Sequence, residues 1–185
     1  SLFSVIRGYN ILVLILAQYL TSIYILSKKE TIKEVLFDLN LFLIVLASSL
    51  CIASGYIINN FYDSDKDLIN RPIKSKIDRF VSQNTKLSIY FVLNFLAIVV
   101  VSYLSFMAVI FFSGYIFLIW LYSHKIKKMI IVGNIMSSIL TVAPFFAILV
   151  YYKNFEIVIF FHALFLTLNL LAKEILKDLE YILRL

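Results

Sequence analysis

Long apolar stretches alternate with short charged ones along almost the whole chain. Six segments, roughly 9–27, 37–60, 86–104, 106–122, 129–152 and 155–173, are apolar over about the 18–20 residues that a helix needs to cross a hydrocarbon core. Segments of alternating polarity, which a barrel requires, are absent. An open sheet would leave backbone groups unpaired in lipid. The pattern therefore predicts an all-α, polytopic transmembrane bundle of about six helices. No Pro/Gly/Ser-rich linker divides it, so residues 1–185 are expected to form a single membrane domain. The links between the third and fourth segments and between the fifth and sixth are only a few residues long. The segment 63–85 is longer and carries both acids and bases, and long polar loops are where function concentrates. Asp63 to Asn70 is expected to prolong the second helix past the membrane edge, and Pro72 to stop it.

Composition sharpens this picture. The chain is 62% hydrophobic and 15% charged, which excludes an ordinary soluble domain. A net charge of +6 raises the question of a nucleic-acid partner, and the placement of the charge argues against one. Lys and Arg gather at 66–86, 125–128 and 173–184, with Arg7, all on one side of a six-helix bundle. The other side receives Lys28, Lys29, Lys33 and Lys153, accompanied by Glu30, Glu34, Asp38 and Glu156. This is the positive-inside bias, and it assigns the basic side to the cytoplasm. Cys51 is alone in an apolar run, so the chain can build no internal disulfide or thiolate metal site. The first apolar segment lacks a small-residue cleavage pattern and is too long for a signal peptide, so it is expected to be a retained helix.

The chemistry gathers at the basic side. Asn59, Asp63 and Asp67 recur every four residues at the end of the second apolar segment, so a helix stacks them on one face. Three oxygen-bearing side chains on one stripe suit a hard cation such as Mg²⁺, and such a cation suits a diphosphate. Asp65 falls off the stripe. Glu174 and Asp178 repeat the spacing at the matching end of the sixth segment and share a helix face. A solvated helix end is the bland alternative for any one of these acids, and the mirrored pair of clusters weighs against it. Arg71, beside Pro72, is expected to grip phosphate through its planar fork of donors; Lys74, Lys76 and Arg79 serve either that purpose or topology. Tyr122-Ser123-His124-Lys125-Ile126-Lys127-Lys128 closes the fourth segment on the same side, where Tyr122 and the lysines either anchor the membrane interface or, through Tyr122 and one lysine, Lys125 or Lys127, reach the phosphate or the leaving oxygen; His124 is expected at the interface. Asn134 is expected to bond a neighbour or orient substrate, Pro144 to kink its helix, and His162 to be a satisfied interior group. Asn169 and Lys173 are expected to support the second acidic cluster.

These residues resemble a family. The run from Asn59 to Pro72 looks like the first aspartate-rich motif, N-[DN]-x-x-D-x-x-x-D, of the UbiA-type intramembrane prenyltransferases. Tyr122 to Lys128 resembles the family's tyrosine–lysine segment, Gly133-Asn134 the start of its fifth helix, and Lys173-Glu174-Ile175-Leu176-Lys177-Asp178-Leu179-Glu180 its second motif, R-E-I-x-K-D-x-E-D. Ser4 to Asn10 resembles the usual lead into the first helix. The resemblance covers almost the whole chain and falls in the family's order. It implies transfer of a prenyl group from a prenyl diphosphate to a lipophilic or aromatic acceptor within the membrane. Mg²⁺ would be held by Asn59, Asp63, Asp67, Glu174 and Asp178. The diphosphate would be held by Asn59, Arg71, Lys125, Lys127 and Lys173, with Tyr122 beside the leaving oxygen. Gly55 to Asn59 and the Lys-Glu-Ile-Leu-Lys-Asp run lean toward members that prenylate geranylgeranylglyceryl phosphate.

The chain also departs from the family. Asn60 stands where many members have Asp, and Tyr181 and Ile182 stand where the second motif carries another Asp. The family has about nine helices, so the resemblance implies a C-terminally truncated chain that binds prenyl diphosphate weakly and turns it over little. The alternatives are an ion-coupled membrane transporter, or an inactive lipid-binding fragment.

Overall fold

The computed structural model describes residues 5–27, 31–70 and 81–183, and describes the side chains among them except at 65–70, 130 and 181–183. Among these residues the chain is helical, with α1 (Gly8–Thr21, continued by a π-helical turn Ser22–Leu26), α2 (Ile32–Leu36), α3 (Leu39–Asn70), α4 (Gln83–Ser102), α5 (Phe106–His124), α6 (Ile130–Tyr152) and α7 (Ile157–Leu183). All but α2 are long and apolar enough to cross a membrane. The chain is an integral, multi-pass membrane protein. The expected spans are all present, and the second does run on to Asn70. The stop at Pro72 lies outside the described residues.

α3 is the hub and packs against α4, α5, α1 and α6. Its sequence allows this because small and apolar residues recur on the faces it buries: Ala47, Cys51, Ser54 and Ile58 among them. Serine hydroxyls inside the membrane bond back to their own helix, Ser48 to the Ile44 carbonyl and Ser49 to the Val45 carbonyl, both at 2.8 Å. Ser54 also donates across the interface to Asn94 of α4 at 2.7 Å. Gly55 brings α5 close. A Cβ there would meet the branched methyl of Ile119 at 2.9 Å, closer than carbon atoms tolerate.

Pro144 lies inside α6, which remains helical through it. A proline removes the N–H that would bond the carbonyl four residues earlier. Here that carbonyl belongs to Leu140, and the Tyr115 hydroxyl of α5 donates to it at 2.9 Å. The vacated acceptor is therefore satisfied by a neighbour, as hydrocarbon demands. Buried Gln18 of α1 reaches the carbonyl of Pro144 itself at 3.5 Å.

The end of the bundle away from the acidic stripe is tied by side chains. Asp38 accepts from the backbone N–H of Asn40 at 2.9 Å and of Leu41 at 3.4 Å, capping α3, and from the Tyr151 hydroxyl at 2.7 Å. Asn154 donates to the Leu26 carbonyl at 3.1 Å. α2 starts with a capping box between Thr31 and Glu34. The α7 helix packs principally on α6, and most of its surface is exposed. His162, expected inside, lies on that exposed face and bonds the Val158 carbonyl of its own helix at 2.7 Å. With one packed neighbour, α7 has little interior to offer it.

Candidate active site at one end of the bundle

The direction of each helix follows from the alternation of spans, so the C-terminal ends of α3, α5 and α7 and the N-terminal ends of α4 and α6 meet on one side. Asn59 and Asp63 stand on α3, Tyr122 on α5, Lys127 on the 3₁₀ turn Ile126–Lys128, Asn134 in the first turn of α6, and Glu174 and Asp178 on α7.

Lys127 is the hinge of the arrangement. Its ammonium donates to Asn59 Oδ1 at 2.8 Å and to Asp63 Oδ2. Both charged side chains are partly buried, Lys127 31% and Asp63 19% exposed, so the contact is shielded from bulk water. Gly133 helps to place the lysine. A Cβ there would meet the carbonyls of Ile126 and Lys127 at 3.1 and 3.3 Å, so the missing side chain lets the turn lie tightly over the start of α6. Lys125, two residues away, is exposed. The structure thus separates two lysines that sequence spacing left equivalent.

The opposite wall is built by α6 and α7. Asn134 Nδ2 donates to Asp178 Oδ2 at 2.8 Å. Glu174, one turn away, pairs with Lys177 at 3.0 Å. Tyr122 of α5 lies beside Ser137 of α6 and within electrostatic reach of Glu174, Asp63 and Asp178. Carboxylates of both acidic clusters therefore lie within electrostatic reach of one tyrosine.

The remaining candidates divide. Asp67 continues α3 one turn beyond Asp63, and its side chain lies outside the described set. Arg71, Lys74, Lys76 and Arg79 lie outside the described residues altogether. Lys173 is exposed, and the lysine that pairs with Glu174 is Lys177 rather than Lys173. Asn169 is spent on the Phe165 carbonyl of its own helix at 2.8 Å. His124 stacks on Trp120, ring centres 5.4 Å apart, and meets the edge of Tyr62. Asn60 is buried in the α3 interface.

Sequence reasoning missed four features. Ser137 as the partner of Tyr122 was visible only as a small residue. Lys86, in the first turn of α4, is buried, though nothing in its neighbours marks it as different from other basic residues of that region. Arg7 sits over Tyr56, a pairing across 49 positions that no local pattern reveals. The capping box of α2 was legible as Thr31-Ile32-Lys33-Glu34 and went unread.

The donor set suits a hard divalent cation. Its described atoms are carboxylate and amide oxygens, and the Lys127 ammonium already stands between Asn59 Oδ1 and Asp63 Oδ2 as a cation would. Among the described residues no three Asp, Glu, His or Cys side chains form a closed metal cage. Mg²⁺ does not need one, because it keeps waters and binds through one or two carboxylates together with substrate phosphates.

Comparison with known proteins agrees with this architecture. A digeranylgeranylglyceryl phosphate synthase of Thermococcus sibiricus is 32% identical over 127 residues, covering 68% of this chain and 45% of the relative. A synthase of the same name from Methanobrevibacter smithii is 27% identical over 190 aligned positions, covering 95% of this chain and 62% of the relative. The chain thus spans about half to three-fifths of the curated relatives' length. A solved structure described as giving "structural and mechanistic insights into the biosynthesis of Digeranylgeranylglyceryl phosphate synthase in membranes" superposes with a TM-score of 0.75 at 24% identity, over 98% of this chain and 62% of that one, and shares its fold. The sequence profile of the UbiA prenyltransferase family matches residues 13–182, and the chain belongs to that family.

Proposed function

We propose that the protein transfers a prenyl group from a prenyl diphosphate to a lipid-borne acceptor at the cytoplasmic face of the membrane, with Mg²⁺ as cofactor. The observation that carries this reading is the convergence of Lys127–Asn59–Asp63 on one wall and Asn134–Asp178 on the other upon Tyr122. Asn59, Asp63, Asp67, Glu174 and Asp178 would hold the metal. Bound Mg²⁺ would neutralise charge on the leaving diphosphate.

The chain's own groups do the rest. Lys127 is a mobile donor that turns from the carboxylate toward the incoming phosphate. Arg71 and Lys125 lie close in sequence to the same corner and add charge there, and Lys173 adds it from α7. Tyr122 directs its hydroxyl toward the oxygen that departs with the C–O electron pair. The allylic carbon left electron-poor faces an interior that contains Tyr115 and Phe112, whose ring faces favour a cation. An acceptor hydroxyl then supplies the new C–O bond and gives its proton to the departing diphosphate. The relatives are named for a glyceryl phosphate that carries two geranylgeranyl groups, and by analogy we infer a prenylglyceryl phosphate acceptor here. A carrier would call for charged or broken helices near the midplane; the acids of the candidate site gather at one end.

The test is prenyl transfer from geranylgeranyl diphosphate by the full-length protein in nanodiscs. Asp63→Asn and Asp67→Asn should abolish it while the protein still inserts, because an amide carries no charge to offer the metal. Asp65→Asn, off the stripe, should be far milder. Transfer that survives removal of divalent cations, or equal losses at all three positions, would sink the reading.

A further inference from the structure

Arg7 precedes α1 and makes none of the Lys127 contacts. Its backbone sits in the left-handed region, φ 53° and ψ 54°, a conformation that costs a non-glycine residue about 1 kcal/mol or more. Val5 and Gly8 on either side are buried, so packing holds the segment in place. The side chain is exposed, yet its guanidinium carbon lies 5.2 Å from the centre of the Tyr56 ring. Tyr56 is itself fixed, because Asn10 Nδ2 donates to its hydroxyl at 3.3 Å. A guanidinium resting on a ring face is oriented, with its N–H edges free to form a planar fork.

Charge and position say what the fork faces. Lys127 is compensated by Asp63 and Lys177 by Glu174, whereas among the described residues no carboxylate pairs with Arg7. Arg7 therefore offers net positive charge to an anion without a metal. Tyr56 lies one helical turn before Asn59 on α3, so Arg7 rests, from the α1 side, on the same helix that carries Asn59 and Asp63. From it an apolar stripe, Leu12, Val13, Leu16 and Leu20, runs exposed down α1. A lipid whose phosphate met Arg7 would lay its chain along that stripe.

We propose that Arg7, seated on Tyr56, is a phosphate subsite for the lipid acceptor, separate from the site of the prenyl diphosphate. The proposal rests on the prenyl-transfer reading and assigns the phosphate of its prenylglyceryl acceptor to one residue, Arg7.

The test measures binding to the protein in zwitterionic nanodiscs, with geranylgeranylglyceryl phosphate and dephosphorylated geranylgeranylglycerol as probes. Arg7→Gly is the decisive variant, because glycine adopts the left-handed conformation freely. Its Tm should hold or rise, while the phosphorylated probe binds about tenfold more weakly, the loss expected of a charge-assisted hydrogen bond, and the dephosphorylated probe is unchanged. Arg7→Lys should recover part of the loss. Equal weakening of both probes would mean that Arg7 only shapes the fold, and no weakening would mean that it binds nothing; either overturns the proposal. Competition by phosphatidylglycerol as strong as by the probe would assign the site to bulk lipid headgroups and overturn it as well. So would a loss of Mn²⁺–pyrophosphate binding in Arg7→Gly, which would move Arg7 to the diphosphate corner. If wild type itself binds no Mn²⁺ with pyrophosphate, the prenyl-transfer reading falls, and the two-probe comparison still reports on Arg7.

Discussion

Removing the Lys127 ammonium should make the bare metal bind more tightly. The ammonium stands between Asn59 Oδ1 and Asp63 Oδ2, two atoms assigned above to the metal. On the proposed reading, a divalent cation entering the ligand-free protein must therefore displace an internal one. The exposures, 31% for Lys127 and 19% for Asp63, set the size of that competition. Fully exposed pairs contribute up to about 1 kcal/mol, and loss of one partner from a fully buried pair costs about 3–5 kcal/mol. A contact between these limits is worth about 1–2 kcal/mol, or about five- to thirtyfold in affinity. Lys127→Met should thus bind Mn²⁺ alone about five- to thirtyfold more tightly than wild type, read by electron paramagnetic resonance of free Mn²⁺ in nanodiscs. Lys127→Arg, which keeps the charge, should stay close to wild type. Lys128→Met removes an equal charge from an exposed position in the same turn and should shift affinity far less. Pyrophosphate should raise Mn²⁺ affinity strongly in wild type, where Lys127 transfers its charge to the anion, and less in Lys127→Met. If Lys127→Met binds bare Mn²⁺ no more tightly than wild type, the ammonium and the metal do not share a position and the argument fails.

Other outcomes follow from the packing. Asn134→Leu should free Asp178 and weaken Mn²⁺–pyrophosphate binding by about three- to tenfold, with helix content by circular dichroism unchanged. Gly55→Ala should destabilise the bundle by about 1–3 kcal/mol in a detergent-unfolding assay, and Ile119→Ala should recover much of this by removing the methyl that a Cβ would strike. Gly133→Ala presses on backbone carbonyls rather than a side chain, so it should displace Lys127 and reproduce part of the Lys127→Met metal phenotype. The capping box of α2 should be pH-sensitive. The backbone N–H and side chain of Thr31 hold the Glu34 carboxyl below its usual range, so its contribution is complete above the unfolded pKa and is lost as pH falls through the lower folded value. Amide exchange of α2 should accelerate in that acid window, and Glu34→Gln should abolish the pH dependence.

The sequence alone determined what lipid imposes locally. Apolar length identified the six spans found among the described residues, because an unpaired backbone in hydrocarbon admits little besides helix. Four-residue spacing placed Asn59 and Asp63 on one stripe and Glu174 with Asp178 on another, because helical periodicity is a property of the chain itself. Alternation of spans then put both stripes at one end. What crosses between helices was decided only by tertiary structure. Whether Lys125 or Lys127 reaches Asp63 depends on how a 3₁₀ turn sits over Gly133. The pairing of Asn134 with Asp178 depends on the α6–α7 interface, and the filling of the Leu140 carbonyl by Tyr115 on the α5–α6 contact. His162 was expected inside on polarity alone, and the exposure of α7 put it outside. Periodicity fixes a side chain's angle around its own helix axis. Which neighbour that angle meets depends on how whole faces pack together, and a linear pattern does not carry that information.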